Sequence, residues 1–254
     1  MPATLQEILE EADAILEPAR FEDYGPNGLQ VPGRAEVATI ASGVSAHLEL
    51  FELAVAEKAD LLLVHHGIFW GRGPGPIDAQ LKRRLQVLFD ADISLAAYHL
   101  PLDAHLELGN NALLAQALGA EEIRPFAAHR GEPIGVLAEM PDGGMTLAEL
   151  SARTREVTAR EPLVFDSGPP RIDRVGIVSG AGDDYLSEAA AAGAQAFITG
   201  EPAERCMAQA RELGLHFLAA GHYATETFGV RRLGEHLAAR FDLRHVFLDV
   251  PNPI

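Results

Sequence analysis

The stretch Ala59-Asp60-Leu61-Leu62-Leu63-Val64-His65-His66-Gly67 decides how this chain is read. Ala59 to Val64 is an apolar run between turn signals, the pattern of a strand buried on both faces in a helix-covered sheet. It ends in two adjacent histidines. Successive strand residues point to opposite faces, so the pair serves one site if the chain turns at Gly67 or if two ions lie close together.

Upstream, Thr4 to Leu16 has helical spacing, with Thr4 as N-cap, Glu7 three residues on and Pro18 as the stop. A turn-rich loop from Phe21 leads through Asn27-Gly28 into an extended segment ending at Val31. Val37 to Val44 reads as a strand and His47 to Lys58 as a helix. Downstream, Gly71-x-Gly73-x-Gly75 reads as a flexible loop over the site. A helix follows from Asp78 to Ala91, a strand from Ile93 to Ala97, and a helix from Asn111 to Leu118.

From Glu132 the order begins again. Thr146-Leu-Ala-Glu-Leu150 starts a helix as Thr4-Leu-Gln-Glu-Ile8 does, and Arg174 to Gly180 matches Val37 to Gly43. Ala194 to Glu201 falls in register with Ala59 to His66. Leu215 to Ala220 repeats Ile93 to Ala97, and His236 to Phe241 repeats Leu113 to Leu118. Five matches in one order predict two similar α/β domains from an internal duplication, at residues 1–124 and 125–254, with mixed sheets flanked by helices. Ligands of such sheets gather at the C-terminal strand ends.

Two of those ends carry one motif. Leu95-Ala-Ala-Tyr-His99-Leu-Pro-Leu-Asp103 and Leu218-Ala-Ala-Gly-His222-Tyr-Ala-Thr-Glu226 each place a carboxylate four residues after a histidine, on one face if the segment is helical. His65, His66, His99, Asp103, His222 and Glu226 exceed the three ligands of a mononuclear catalytic zinc site and suit two ions. Imidazole with carboxylate fits Zn, Fe, Mn or Co rather than Ca or Mg. Two such ions would share a bridging hydroxide acidic enough to act as a nucleophile near neutral pH. Glu201, in register with His66, is a candidate base. Ser179 to Gly182 is either an anion-binding turn or a plain one. His47, His105, His129, His216, His236 and His245 are read as structural.

Other classes are excluded or disfavoured. The formal charge of −17, without a Lys/Arg run, argues against general nucleic-acid binding. One cysteine, Cys206, allows neither an intrachain disulfide nor a thiolate metal cage. No signal peptide or membrane span is evident, and the cytoplasm is the expected location. There is no G-x-S-x-G elbow or HExxH motif.

Asn27-Gly-Leu-Gln-Val31, Leu63-Val-His-His66-Gly, His99-x-x-Leu-Asp103, Gly109-Asn110, Ile198-Thr-Gly-Glu201 and Gly221-His-Tyr-x-x-Glu226 together resemble the Nif-three-like dinuclear-metal proteins. These are often described as type 2 homologues of GTP cyclohydrolase I. The resemblance implies two similar α/β domains, a two-metal site in the interdomain cleft, and a ring-shaped homohexamer. It implies metal ligation by His65, His66, Asp103, His222 and Glu226, with His99 near the metals, in the short form that lacks an inserted domain. Two departures stand out. Gly67 replaces the family's usual Pro, and His99-Leu-Pro-Leu-Asp103 replaces His-Thr-Asn-Leu-Asp. The expected function is a metal-dependent hydrolase acting on a nucleotide or phosphoester, with His99 or Glu201 carrying the proton. The alternative is a non-catalytic metal-binding, metal-delivery or regulatory hexamer.

Overall fold

The computed structural model describes residues 2–71, 75–141 and 143–254. Gly73, at the centre of the loop expected over the site, lies outside them. The chain begins with β1 (Ala3–Thr4), α1 (Leu5–Leu16), β2 (Gly28–Val31), β3 (Glu36–Val37) and β4 (Thr39–Ser45). It continues through α2 (Leu48–Ala56), β5 (Leu61–His66), α3 (Ala79–Ala91), β6 (Ser94–Ala97) and α4 (Leu100–Ala104). There follow α5 (Asn110–Ala117), β7 (Glu122–His129), β8 (Glu132–Glu139), α6 (Leu147–Thr158), β9 (Leu163–Phe165) and β10 (Arg174–Val178). The last elements are α7 (Leu186–Ala191), β11 (Ala196–Thr199), α8 (Cys206–Leu213), β12 (His216–Ala219), α9 (His222–Thr225), α10 (Thr227–Phe241) and β13 (Arg244–Phe247).

The chain divides into two compact units, residues 1–102 with 229–250, and residues 103–228 with 251–254. This differs from a single division after residue 124, for two physical reasons. Leu114 and Leu118 are buried in one core with Val136 and Ile177, which draws α5 into the second unit. Arg244 to Phe247 pair in parallel with Thr39 to Ser42, which returns the chain's last strand to the first.

In the first unit the strand order is β13-β4-β5-β6-β2. The first four run parallel and β2 is antiparallel to β6. β5 is buried along Leu61 to His65. Leu62 and Val64 share one apolar cluster with Leu50, Phe51 and Ala54 of α2 and Leu88 of α3. α1 buries Ile8, Ala12 and Leu16, one stripe at intervals of four. Its capping box is as the sequence predicts: Thr4 Oγ1 accepts from Glu7 N and the Glu7 carboxylate accepts from Thr4 N.

In the second unit the order is β7-β8-β10-β11-β12-β9. β10, β11 and β12 run parallel, with β8 and β9 antiparallel on either side. Thus β10-β11-β12-β9 has the same order and directions as β4-β5-β6-β2. α6 precedes β9 as α1 precedes β2, and it too carries a capping box, from Thr146 and Glu149. Among the described residues no helix is long and apolar enough to cross a membrane.

Candidate metal centre

In the first unit, His65 and His66 are the last two residues of β5 rather than residues beyond it. Ser45 still pairs with His66, so the strand does not turn before Gly67. Their ring centroids are nevertheless 4.7 Å apart. Rings held square to opposite faces of a pleated strand would lie farther apart, so the two side chains incline toward one another. His99, two residues beyond β6, completes the group, with centroids 5.0 Å from His65 and 5.4 Å from His66. One ligating atom from each of the three lies within 4.8 Å of the others.

Each ring is oriented through Nδ1. His65 donates to the Tyr98 carbonyl at 3.0 Å, which fixes the Nδ1–H tautomer and leaves the lone pair on Nε2. His66 Nδ1 meets Ser45 Oγ at 3.1 Å. His99 Nδ1 donates to Asp23 Oδ1 at 2.7 Å. Asn27 Oδ1 accepts the His99 backbone N–H at 2.7 Å. This gives the Asn27-Gly28 motif a physical role. Burial disfavours charge on Asp23, but the hydrogen bond and charge of His99, with Asn27 and Leu100 N, outweigh it and hold the carboxyl below its ordinary value.

Gly67 sits under the amide of Gln30, which a Cβ would meet. That amide accepts from Ile68 N at 2.9 Å and donates to the Pro26 carbonyl at 2.8 Å, clamping the chain beyond the histidine pair. Trp70 lies beside the group, 5.7 Å from His66 and 5.4 Å from His99 between ring centroids.

In the second unit, His222 opens the short helix α9 and Glu226 follows at its end. His222 Nε2 lies 3.2 Å from Glu226 Oε2, as the four-residue spacing predicts. Glu201 Oε1 takes the other ring nitrogen, Nδ1. Burial opposes protonation of His222, but Glu226 and then Glu201 outweigh it and push its pKa up to about 9. Gly180, at φ +61°, lies where a Cβ would meet Glu226 Oε1. Gly200 lies where a Cβ would stand 2.6 Å from His222 Cα.

Asp103 is buried. Its Oδ1 accepts from Asn110 Nδ2 at 2.8 Å and Ser179 Oγ at 3.1 Å. Asn111 Nδ2 holds the Asp103 carbonyl, and its Oδ1 accepts from Ser179 N at 2.7 Å. The turn from Ser179 to Gly182 is therefore a brace rather than an anion site. Its N–H groups at Ser179, Gly180 and Gly182 go to Asn111, Thr225 and Thr199.

Sequence patterning misses Asp23 and Ser45, which stand in no repeated position, and Tyr98, whose contribution to His65 is a backbone carbonyl that no residue type signals. Among the histidines read as structural, His216 and His245 have side-chain or backbone partners that tie neighbouring segments together. His216 accepts from Ser167 N and Gly168 N, and His245 meets Ser42 Oγ at 2.8 Å.

The donor set fits a borderline-soft divalent ion. Three imidazoles converge in one unit, and an imidazole and a carboxylate do so in the other. Outer partners orient His65, His99 and His222 through Nδ1, the arrangement of metal-ligating histidines.

The whole chain is similar to known proteins. The family model described as Duf34/NIF3 (NGG1p interacting factor 3) matches residues 3–253. The chain is 46% identical over 254 residues to a Pseudomonas aeruginosa protein called GTP cyclohydrolase 1 type 2 homolog, covering 100% of both chains. It is similar to the solved structure of protein ybgI, described as of unknown function, at TM-score 0.92 and 41% identity, covering 99% of this chain and 100% of that one. A structure from Thermus thermophilus matches at TM-score 0.91 and 40% identity, with the same coverage.

Proposed function

Because the chain belongs to the Duf34/NIF3 family, we propose that it is a dinuclear metal protein acting as a metal-dependent hydrolase. In this reading His65, His66, Asp103, His222 and Glu226 hold two divalent transition-metal ions, Zn, Fe, Mn or Co. The observation that carries it is the group of His65, His66 and His99. Three imidazoles within 4.8 Å of one another, two of them with Nδ1–H tied to an oxygen acceptor, are a donor set prepared for a cation. The name shared by the curated relatives supports a nucleotide substrate, opened at the imidazole ring of a purine; phosphoester hydrolysis is chemically equivalent at this level.

Bound ions would supply Lewis acidity and a water activated as nucleophile near neutral pH. The chain's own residues do the rest. Tyr98 O, Ser45 and Glu201 orient the ligating rings, and Asn110 and Ser179 hold the Asp103 carboxylate. Either His99, at Nε2, or Glu201, at Oε2, carries the proton. The same reading includes a ring-shaped homohexamer, a cytoplasmic location and an origin of the two units by duplication. The last is supported by their shared strand order and paired capping boxes.

Elemental analysis of purified protein, followed by a turnover screen of metal-reconstituted protein against nucleotides, cyclic nucleotides and phosphoesters, tests the proposal. Two ions per chain with turnover on one class is the expected result. One ion or none overturns the dinuclear reading. Two ions held tightly, with no turnover on the panel, favour the metal-delivery or regulatory alternative.

A further inference from the structure

The loop between α1 and β2 is folded around a carboxylate that lies outside the donor set. Asp23 is almost wholly buried, with a side chain 3% exposed. Its Oδ1 accepts from His99 Nδ1 at 2.7 Å and from Tyr24 N at 2.6 Å. Its Oδ2 accepts from Asn27 Nδ2 at 2.8 Å and Leu100 N at 2.9 Å. Asn27 then takes the His99 backbone N–H. One short loop therefore grips both the main chain and the ring of His99.

Resting on the metal-site reading above, we propose that Asp23 is the positioning residue of His99, fixing the tautomer that turns an Nε2 lone pair toward the site. The argument is one of donors and acceptors. An ionised carboxylate only accepts, so the nitrogen facing it carries the proton, and in a neutral imidazole the other nitrogen carries the lone pair. Whether His99 serves as a further donor or as a proton carrier, that lone pair is what either role requires. The opposite tautomer would aim an N–H at the group containing His65 and His66. A carboxylate behind an imidazole also makes its far nitrogen more basic and a better donor.

Substitution by Asn cannot satisfy the same set. Either orientation of the amide aims an NH₂ group at two donors: at Nδ1 of His99 and Tyr24 N, or at Asn27 Nδ2 and Leu100 N. Asn27→Ala disturbs the same loop but keeps the carboxylate against the ring. It separates positioning from loop integrity.

The test uses full-length, metal-free protein labelled with ¹⁵N-histidine, in which ring nitrogen shifts report where His99 carries its proton. Wild type and Asn27→Ala are expected to show His99 protonated at Nδ1, and Asp23→Asn to move it toward Nε2–H. With His99 as a further donor, zinc binding by the Asp23→Asn protein weakens by about 10- to 100-fold, the usual effect of losing an outer partner; with His99 as a proton carrier, only the ring spectrum changes. An Nε2–H tautomer in wild type overturns the proposal, even if Asp23→Asn does not fold. So does an Asp23→Asn protein with unchanged ring and zinc affinity. If wild type binds no zinc, the metal reading fails, while the ring spectrum still decides the role of Asp23.

Discussion

The side chain of His65 and the backbone of Tyr98 are joined by a 3.0 Å hydrogen bond from Nδ1 to the carbonyl, linking the end of β5 to the residue after β6. Tyr98 is itself fully buried and donates its hydroxyl to Asp13 of α1 at 2.7 Å. Burial and the Asp13 carboxylate both push the Tyr98 hydroxyl's pKa up, so it stays a donor.

The two contacts of Tyr98 are separable. Tyr98→Phe keeps the carbonyl that orients His65 and loses only the bond to Asp13. We expect a loss of about 1 kcal/mol in urea unfolding, the usual net worth of such a bond. Zinc content should not change. A fall in zinc content would mean that the phenol, and not just the carbonyl, sets the histidine.

Gly180 is required twice, by its left-handed backbone and by the carboxylate of Glu226 lying where a Cβ would stand. Gly180→Ala is expected to cost roughly 1–2 kcal/mol from backbone conformation alone. It should also displace Glu226 and lower metal content measured by elemental analysis. Retention of full metal content would remove Glu226 as a ligand.

Trp70 is the chain's single tryptophan and lies 5.7 Å from His66 and 5.4 Å from His99 between ring centroids. Its emission should therefore be quenched on titration with Co²⁺. His66→Ala should abolish quenching at the same concentrations. Unaltered quenching in that variant would place the ion away from this group.

His245 provides a pH signature apart from the metal residues. Burial first, and Arg231 second, lower its pKa from 6.5 against an opposing effect of Glu235, while Ser42 Oγ faces its ring. The folded state thus binds this proton less readily than the unfolded chain. Stability from this residue is complete above pH 6.5 and is lost as pH falls through the lower, folded value. Denaturant midpoints measured from pH 7.5 to 5 should fall less steeply in His245→Gln than in wild type. Equal slopes would show that His245 is not the group responsible.

Local elements were legible because their causes are local. Thr4 with Glu7 and Thr146 with Glu149 form the capping boxes their spacing announces, and Asp78 caps α3 where the helix was expected to start. The apolar run ahead of His65 is a buried parallel strand, and the four-residue spacing of His222 and Glu226 does bring their side chains together. The turn at Ser179 was ambiguous for the opposite reason. Its N–H groups are satisfied by Asn111, Thr199 and Thr225, residues far away along the chain.

By itself, the sequence determined the residue chemistry and the strand ends on which it sits: imidazoles after buried strands, carboxylates one helical turn further on. Periodicity and short spacings act over a few residues, and a single chain displays them directly. Only the tertiary structure decided that His65 and His66 converge while still in the strand, and that Asp23, Ser45 and Tyr98 stand behind the rings. It also decided that β13, from the far end of the chain, completes the first sheet beside β4. Those pairings join residues separated by tens to hundreds of positions, and they come from packing and hydrogen-bond satisfaction that no local pattern encodes.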